Sequence, residues 1–528
     1  MDKFLLTGRL VLAATVLFAT AHNSVAQQAN KKPNIIYIMS DDHGYQAISA
    51  YGYGLNHTPH IDALAREGML FNRAYVTNAI CGPSRAVMLT GKYSHINGFM
   101  DNHSTFVGSQ QTVAKLMHDG GYQTAVVGKW HLISNPQGFD YWNIVPGQGE
   151  YYNPDFIENG TGKRIQGYVT NITTDIAIDW LDKRDRNKPF FLIYQQKAPH
   201  RNWMPEEKYY HLFDSTQFPV PANYFDDYHT RTKAAGEQEM QIARDMHDAY
   251  DLKLSFDLPK EKQVGLGAMW QGIYNRLTPK EKKQWETAYL PSIDSFNKAH
   301  LSGKELAIWK YQRYMKDYLR CVQSVDDNVG RLMEWLKANG LDKNTIIIYT
   351  SDQGFFLGEH GWFDKRWMYE ESFRTPLIIK WPGVTNKKSV TKSMVQNLDF
   401  AETILDMAGL PVPADMQGKS MVPVLKGKLK GDLHSALYYH FYENLEHKVA
   451  KHIGVRTSRY KLIWFYQNKE WELYDLDKDK SEMENVYDNP AYRKIQEMML
   501  QKLKAEATRY KDPVITELTK HAAANKGS

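Results

Sequence analysis

The chain has 528 residues, 42% of them hydrophobic, with a formal net charge of +5 and only two cysteines. This length exceeds what a single hydrophobic core usually supports, so we expect one large domain and one smaller domain. The charge is mild and includes no basic block, which excludes a nucleic-acid-binding protein but suits an anionic substrate. Two cysteines exclude a disulfide-rich scaffold. Aromatic residues make up 13% of the chain and suit sugar stacking as well as core packing.

The first 26 residues have the pattern of a signal peptide. Lys3 and Arg9 give a positive start, residues 10–20 (LVLAATVLFAT) are apolar, and Ser24-Val25-Ala26 is a small-residue cleavage site. The apolar stretch is shorter than the roughly 20 residues that span a bilayer, and no later segment reaches that length. We therefore expect export without membrane insertion, to a bacterial periplasm or, alternatively, by secretion. A retained membrane anchor is the competing interpretation.

Five short apolar runs predict buried strands, at residues 34–40, 124–130, 190–196, 345–351 and 377–383. The runs are β-branched and continuous rather than alternating, as in a parallel sheet that is covered on both faces. Helical patterns lie between them, and one long apolar stripe accounts for Cys321 as a core residue. This alternation predicts an α/β fold with a large, doubly wound, mostly parallel sheet and helices on both faces.

Two segments depart from the alternation. Residues 205–300 are charged and aromatic without strand patterns, which predicts a largely helical insertion. From about residue 430 the patterns favour antiparallel strands followed by a closing amphipathic helix. We therefore predict a catalytic domain over residues 27–429 and a smaller α+β domain with an antiparallel sheet over residues 430–528.

Charged or metal-binding side chains follow four of the predicted strands. Ligands of an open parallel sheet bind beyond the carboxyl ends of its strands, so we expect these residues to meet at one site. They are Asp41 and Asp42 after the first strand, Lys129 and His131 after the second, Lys197 and His200 after the third, and Asp352 and Gln353 after the fourth, with Lys365 further along the chain.

The acidic strand ends predict a metal site. Asp41, Asp42 and Asp352 supply carboxylates, and Gln353 adds an amide oxygen. Hard oxygen ligands select Ca²⁺ or Mg²⁺, and three carboxylates crowded together without a cation would repel one another strongly. The competing interpretation of Asp41 and Asp42 is a strand-end turn or a helix cap.

The basic strand ends predict an anionic substrate. Lys129, His131, His200 and Lys365 are cations or potential cations, and beside a divalent metal they suit a bound tetrahedral oxyanion. The metal and the lysines would hold its charge while the histidines move protons. Any single histidine here could instead be structural, but the convergence of four positions favours a site.

Residues 81–91, CGPSRAVMLTG, contain the most specific motif of the chain. With Cys-x-Pro-Ser-Arg followed by Leu-Thr-Gly, the chain resembles the type I sulfatases of the alkaline-phosphatase superfamily. Further segments resemble sulfatase segments in the same order: PNIIYIMSDDHG, GKWHL, APH, YTSDQGFFLGEHG and RTPLIIKWPG, then RTSRYKLI with ELYDLDKDKSEMENV. The alternatives for Cys81 are a buried free cysteine and an ordinary thiol nucleophile, which would need an adjacent base and a lowered pKa.

The resemblance implies a modified residue and a metal ion. In that family a maturation enzyme oxidises the cysteine to formylglycine, so Cys81 would become 3-oxoalanine. Asp41, Asp42, Asp352 and Gln353 would bind one Ca²⁺, with Mg²⁺ as the alternative, together with the formylglycine oxygen of Cys81. Gln353 departs from the Asn or His that relatives more often carry, and its side chain reaches one methylene further than Asn.

The resemblance also implies catalytic roles for the basic residues. Arg85 would hold the formylglycine, and Lys129 and Lys365 would bind the sulfate oxygens. His131 would take the proton that lets sulfate leave, and His200 would protonate the departing alcohol.

The segment around Lys365 indicates the substrate. Asp364 and Arg366 can bind neighbouring sugar hydroxyls, the arginine donating and the carboxylate accepting, and we predict that Trp367 also contacts the sugar. This arrangement resembles bacterial sulfatases that remove the 6-O-sulfate of N-acetylglucosamine, or of N-sulfoglucosamine, from host glycans such as heparan sulfate. A surface ion-pair segment is the competing interpretation. Residues 438–452 would complete the sugar pocket or pack between the domains.

Three other functions compete with this one. The sulfate could lie at another position of the sugar, or on galactose or N-acetylgalactosamine. Relatives with the same motif hydrolyse phosphonate or phosphate esters. A glycan-binding protein with an inactive sulfatase fold would lack ligands or the cysteine, and the sequence has both.

Overall fold

The computed structural model describes residues 32–524, so the predicted signal peptide lies outside the described residues. Three sheets contain the strands β1 Asn34–Ser40, β2 Met69–Phe71, β3 Ala74–Tyr75, β4 Gln123–Lys129, β5 Tyr141–Val145, β6 Asp155–Glu158, β7 Thr161–Arg164, β8 Phe190–Gln196, β9 Thr345–Ser351, β10 Arg374–Thr375, β11 Leu377–Lys380, β12 Ser389–Thr391, β13 Val395–Gln396, β14 Leu437–Phe441, β15 His452–Arg456, β16 Tyr460–Phe465 and β17 Glu470–Asp475.

The α-helices connect and cover these strands. They are α1 Pro59–Glu67, α2 Cys81–Thr90, α3 Ser94–Asn97, α4 Val113–Asp119, α5 Val169–Lys183, α6 Lys233–Glu237, α7 Ile242–Asp245, α8 Leu266–Arg276, α9 Pro279–Ala299, α10 Gly303–Ala338, α11 Glu370–Phe373, α12 Phe400–Met407, α13 Val422–Leu425, α14 Arg493–Arg509 and α15 Ile515–Ala524. Within residues 32–524, none of these helices is both long enough and apolar enough to cross a membrane.

The large sheet has ten strands in the order β12-β2-β11-β9-β1-β8-β4-β5-β6-β7. Its five central strands, from β9 to β5, are parallel, and β11, β6 and β7 run antiparallel to their neighbours. The predicted α/β class is confirmed as a mixed sheet with a parallel centre. The run at 377–383 is shorter than predicted and antiparallel to β9. Burial on both faces gives the same continuous apolar pattern whichever way a strand runs.

Helices cover both faces of this sheet. Alternate residues of β1 point to opposite sides, as the pleat of a strand requires. Ile36 and Ile38 pack in one core with residues of α1, α5 and α10. Ile35, Tyr37 and Met39 pack in a second core with residues of α2, α4 and α12. The doubly wound prediction is therefore confirmed for the centre of the molecule.

The register of the central strands brings their carboxyl ends level. Ser40, the last residue of β1, lies opposite Ser351 at the end of β9 and Gln196 at the end of β8. Gly128 of β4 lies opposite Gln195 of β8. The residues that follow these positions therefore leave the sheet side by side.

A smaller unit contains the four-stranded antiparallel sheet β14-β15-β16-β17. Met499 and Leu503 of α14 pack against its strands. The other face of this sheet packs against the segment 355–373 of the large unit, with Tyr439 and Phe441 among aromatic side chains of that segment. Residues 205–300 form helices and turns and, within the described part of the chain, no strand of the three sheets. The domain boundaries at 205, 300 and 430 stay predictions.

Gly128 gives a test of this register. Its φ of +100° lies in the left-handed region, and a Cβ atom would overlap the carbonyl oxygen of Gln195. Gly160 has a similar φ of +93° with no atom within 4 Å of the added Cβ. We expect Gly160→Ala to lower the free energy of unfolding by about 1 kcal/mol through backbone strain alone, and Gly128→Ala to lower it by more than about 3 kcal/mol. Urea unfolding measures both; equal losses would contradict the close approach of β4 to β8.

Candidate active site

Cys81 is the first residue of α2 and is completely buried. Its Sγ lies 3.9 Å from Asp42 Oδ1 and 3.9 Å from Gln353 Nε2. Burial and the nearby Asp41 carboxylate raise the pKa of the thiol well above its ordinary value. A thiol nucleophile needs a lowered pKa, so this environment does not suit an unmodified cysteine as the attacking group.

Three carboxylates surround this cysteine. Asp41 and Asp42 follow β1 directly and Asp352 follows β9, and an oxygen of each lies within 4.8 Å of the others. Burial raises the pKa of Asp42 to about 6 and the pKa of Asp352 to about 7, and in both the Asp41 charge adds to the rise. The Gln353 amide contacts them through Nε2, which donates to Asp42 Oδ1 at 2.5 Å, and its Oε1 is buried without a hydrogen-bond partner in the described structure. These oxygen donors, one of them unsatisfied, fit a hard divalent cation.

Arg85 ties the carboxylates to the sheet. Its Nη2 donates to Asp352 Oδ2 at 2.8 Å and to Asp41 Oδ1 at 3.3 Å, and its Nε donates to Asp352 Oδ2 at 3.2 Å. Its Nη1 donates to the Lys129 carbonyl at 2.6 Å and to Gln195 Oε1 at 3.0 Å. The guanidinium therefore links α2 to the ends of β1, β4, β8 and β9.

The two predicted lysines are each paired with a carboxylate. The Lys129 ammonium donates to Asp41 and, at 2.5 Å, to Gln148 Oε1. The Lys365 ammonium donates to Asp42 Oδ2 at 2.7 Å. Burial favours a raised pKa for Asp41, but the nearby positive charges, that of Lys129 the largest and that of Arg85 among them, together outweigh burial and hold this pKa well below the ordinary value.

The two predicted histidines lie on the rim of the carboxylate cluster. His200 Nδ1 lies 2.5 Å from the Arg201 carbonyl, which leaves Nε2 to face Asp42 Oδ2 at 3.7 Å. His131 Nδ1 is buried without a hydrogen-bond partner among the described residues. Burial, reinforced by the Lys129 charge, lowers the pKa of both imidazoles well below the ordinary value. Both rings are therefore neutral at neutral pH.

A cavity of about 450 Å³ opens next to this cluster. His200 and Lys365, which both approach Asp42, line its inner end, and Leu266 and Met269 of α8 line another part of its wall. Glu446 and His447 from the β14–β15 loop line it as well. The cavity is therefore built by the large unit, the 205–300 segment and the smaller unit together.

Asp364 and Arg366 line this cavity as a charge network. Both have positive φ, 75° and 84°, which turns their side chains to the same side of the segment. Arg366 donates to Asp364 and to Glu446, and His447 Nε2 lies 3.2 Å from Asp364 Oδ2. Two charged side chains next to the carboxylate cluster can therefore hydrogen-bond to a polar ligand in the cavity.

The prediction that Trp367 contacts the substrate is wrong. Its side chain is 0% exposed and does not line the cavity. It packs against Trp362 and Phe465, with ring centroids 5.1 and 5.2 Å away. The segment therefore leaves the cavity after Arg366, and Trp367 anchors it on the smaller sheet.

Several cavity residues were not predicted from the sequence. Gln148, Arg201 and Tyr250 carry no motif, and their segments gave no periodic signal that could have placed them. Glu446 and His447 lie in the 438–452 segment, for which the sequence allowed either a part of the sugar pocket or packing between the domains. The structure shows both: β14 packs in the smaller sheet, and the loop after it lines the cavity.

The sequence profile of the sulfatase family matches residues 33–410, and the profile of the N-sulphoglucosamine sulphohydrolase C-terminal region matches residues 358–509. An N-acetylglucosamine-6-O-sulfatase of Bacteroides thetaiotaomicron is 50% identical over 94% of this chain and 91% of its own length. The N-acetylglucosamine-6-sulfatase of Homo sapiens is 26% identical over 75% of this chain and 65% of its own length.

Solved structures agree with the sequence comparison. A protein in complex with its substrate D-glucosamine-2-N,6-O-disulfate superposes with a TM-score of 0.88 at 50% identity, covering 92% of this chain and 99% of that chain. A phosphonate monoester hydrolase of Agrobacterium radiobacter has a TM-score of 0.65 at 21% identity, covering 91% of this chain and 96% of that chain, and shares the fold alone.

The chain belongs to the sulfatase family, because the family profile covers most of it and a sulfatase of half-identical sequence aligns along nearly its whole length. It is a sulfuric ester hydrolase, as predicted. Members of the family generally use formylglycine and a divalent metal.

Arg85 gives a test of the cluster itself. Arg85→Lys keeps the charge but loses the fork that bridges Asp41 and Asp352, so we expect it to lower the free energy of unfolding by about 3 kcal/mol. The exposed Arg186→Lys is the matched control, with an expected change within about 0.5 kcal/mol. Thermal and urea unfolding give both values. A loss for Arg85→Lys as small as that of the control would show that the carboxylates do not depend on the guanidinium.

Proposed function

We propose that the enzyme hydrolyses the 6-O-sulfate ester of N-acetylglucosamine or N-sulfoglucosamine in glycans such as heparan sulfate. The observation that carries the proposal is the cavity in which Asp364 and Arg366 lie next to the cluster around Cys81. The half-identical relative named for N-acetylglucosamine 6-O-sulfate, and the similar structure bound to D-glucosamine-2-N,6-O-disulfate, support the choice of sugar.

We propose further that a maturation enzyme converts Cys81 to formylglycine and that Asp41, Asp42, Asp352 and Gln353 hold one Ca²⁺. When present, the formylglycine hydrate supplies a hydroxyl nucleophile for sulfur, and the cation neutralises charge on the sulfate. The raised pKa of the Cys81 thiol and the unsatisfied Gln353 Oε1 support this assignment, because the thiol is a poor nucleophile and the amide oxygen lacks a partner.

The two lysines bind the sulfate oxygens in this proposal. Lys129 and Lys365 now pair with Asp41 and Asp42, and both pairs would weaken if these carboxylates held a cation that took up their negative charge. The ammonium groups are then free to donate to a tetrahedral anion that enters between them. Two cations on one anion stabilise the charge that develops as the ester bond breaks.

The histidines move protons in opposite directions. His200 Nδ1–H donates to the Arg201 carbonyl, which holds the ring with Nε2 facing the cavity, where it can protonate the departing sugar oxygen. A bound sulfate anion favours the protonated form of His200 against the effect of burial. His131, whose lowered pKa keeps it neutral, accepts the proton that lets sulfate leave. The sugar oxygen is a poor leaving group unless it is protonated, so the general acid His200 matters most.

We propose that the protein is exported by its signal peptide, residues 1–26, to the periplasm. Export would bring the enzyme to glycan fragments. The finding that no helix of residues 32–524 could span a membrane is compatible with this.

The first test combines mass spectrometry with a substrate panel. We expect the peptide spanning Cys81, from protein made in its native host, to have the mass of formylglycine. Sulfate release should be confined to 6-O-sulfated N-acetylglucosamine and N-sulfoglucosamine, and Cys81→Ala should abolish it. An unmodified thiol in active protein would overturn the role of Cys81. Faster turnover of 6-sulfated N-acetylgalactosamine, sulfated galactose or phenyl phosphonate would replace the proposed substrate by that one.

The second test addresses the metal by its effect on stability. After chelation, we expect Ca²⁺ at 100 times its dissociation constant to stabilise the folded protein by about 2.7 kcal/mol, measured by calorimetry. Asp352→Asn should remove most of this gain, whereas Asp488→Asn, at an exposed position, should keep all of it. A Ca²⁺ response that persists in Asp352→Asn would place the ion elsewhere in the protein.

A further inference from the structure

Arg366 is surrounded by three carboxylates, and only two of them hold it. Its Nη1 donates to Asp364 and its Nη2 donates to Glu446, so both of its outer nitrogens are occupied. Its Nε is buried without a hydrogen-bond partner in the described structure. The nearest atom of the third carboxylate, Glu443 Oε1, lies 4.0 Å from this Nε. One more hydrogen bond is therefore within reach of a small movement.

Glu443 is an unusual residue in its own right. Its side chain is 4% exposed, and neither carboxylate oxygen has a hydrogen-bond partner among the described residues. A buried carboxylate without a hydrogen-bond partner costs several kcal/mol, so natural proteins seldom retain one without a use. The charged groups that face Glu443 are Arg366, Glu446, Asp101 and His103. Of these, Arg366 is the cation that lines the cavity and lies beside it.

Glu446 cannot serve as the permanent support of Arg366. Its side chain is 47% exposed and lines the cavity, so a ligand that reaches Arg366 competes with it. Asp364 also lines the cavity, where its carboxylate can accept hydrogen bonds from a sugar. Glu443 lies on the Nε edge of the guanidinium and does not line the cavity, so a ligand leaves it in place.

We propose that Glu443 is a positioning residue that accepts the Nε–H of Arg366 when a sugar occupies the cavity. This proposal rests on the proposed function. The new hydrogen bond frees the Nη groups of Arg366 from Asp364 and Glu446 and turns them to the sugar hydroxyls. Arginine has one N–H on Nε and four on its Nη atoms, so a bond at Nε fixes the plane of the fork without using the edge that faces the ligand. The smaller unit thereby sets the affinity for the sugar.

The test is a double-mutant cycle on the kinetics of sulfate release from 6-O-sulfo-N-acetylglucosamine. Glu443→Gln keeps the size of the side chain and removes its charge, and we expect it to lower kcat/KM by about 10- to 100-fold, chiefly through KM. Arg366→Lys removes the Nε–H. In the Arg366→Lys background, Glu443→Gln should change kcat/KM by less than about twofold, because the two residues act as one unit.

The control is Glu497→Gln, an exposed glutamate of the same unit, which should leave kcat/KM unchanged. Equal losses from Glu443→Gln in both backgrounds, or a fall in kcat with KM unchanged, would overturn the proposal. If Glu443→Gln gives little folded protein, Glu443→Asp enters the same cycle with a smaller expected loss. If the wild type does not hydrolyse this sugar, the proposed substrate fails, and the cycle is measured on the sugar sulfate of the panel that it does hydrolyse.

Discussion

The rest of the site depends on the burial of three carboxylates at the ends of two adjacent strands. Asp41, Asp42 and Asp352 are at most 1% exposed, and like charges this close repel strongly in an interior of low dielectric. The cluster persists because cations pack around it: Arg85 bridges two carboxylates, and Lys129 and Lys365 each pair with one. The basic side chains that suit sulfate are therefore the same ones that hold the site together, and a bound cation would release them for the substrate.

The second constraint is the backbone between Asp364 and Trp367. Positive φ at Asp364 and Arg366 directs both side chains into the cavity, while Trp367 is held in the aromatic core shared with the smaller sheet. Left-handed conformations are unfavourable for residues with a Cβ, so burial of the tryptophan stabilises what the local backbone disfavours. The packing of the two units thus serves the site directly. It sets the segment that carries Lys365 and the pair that faces the cavity.

The cavity wall shows why a second unit is needed. The carboxyl ends of the parallel strands supply charge and the cysteine helix, but they form only the floor. The β14–β15 loop brings Glu446 against Arg366 and His447 against Asp364, and Leu266 and Met269 of α8 line another part of the wall. The charged cluster therefore lies at the strand ends of the large sheet, and the cavity beside it lies where three segments distant in sequence converge.

By itself, the sequence determined the five buried runs, the gathering of acidic and basic residues at strand ends, and the family through CGPSR. These are local patterns: strand periodicity, residue type at a strand end, and one contiguous motif. Tertiary structure alone decided the antiparallel direction of β11, the burial of Trp367 and the entry of Gln148, Arg201 and Tyr250 into the cavity. A strand that is buried on both faces has the same apolar pattern in either direction, and an aromatic residue is equally typical of a core and of a binding surface. Which of these it becomes depends on the partner that packs against it, and that partner lies far away in the chain.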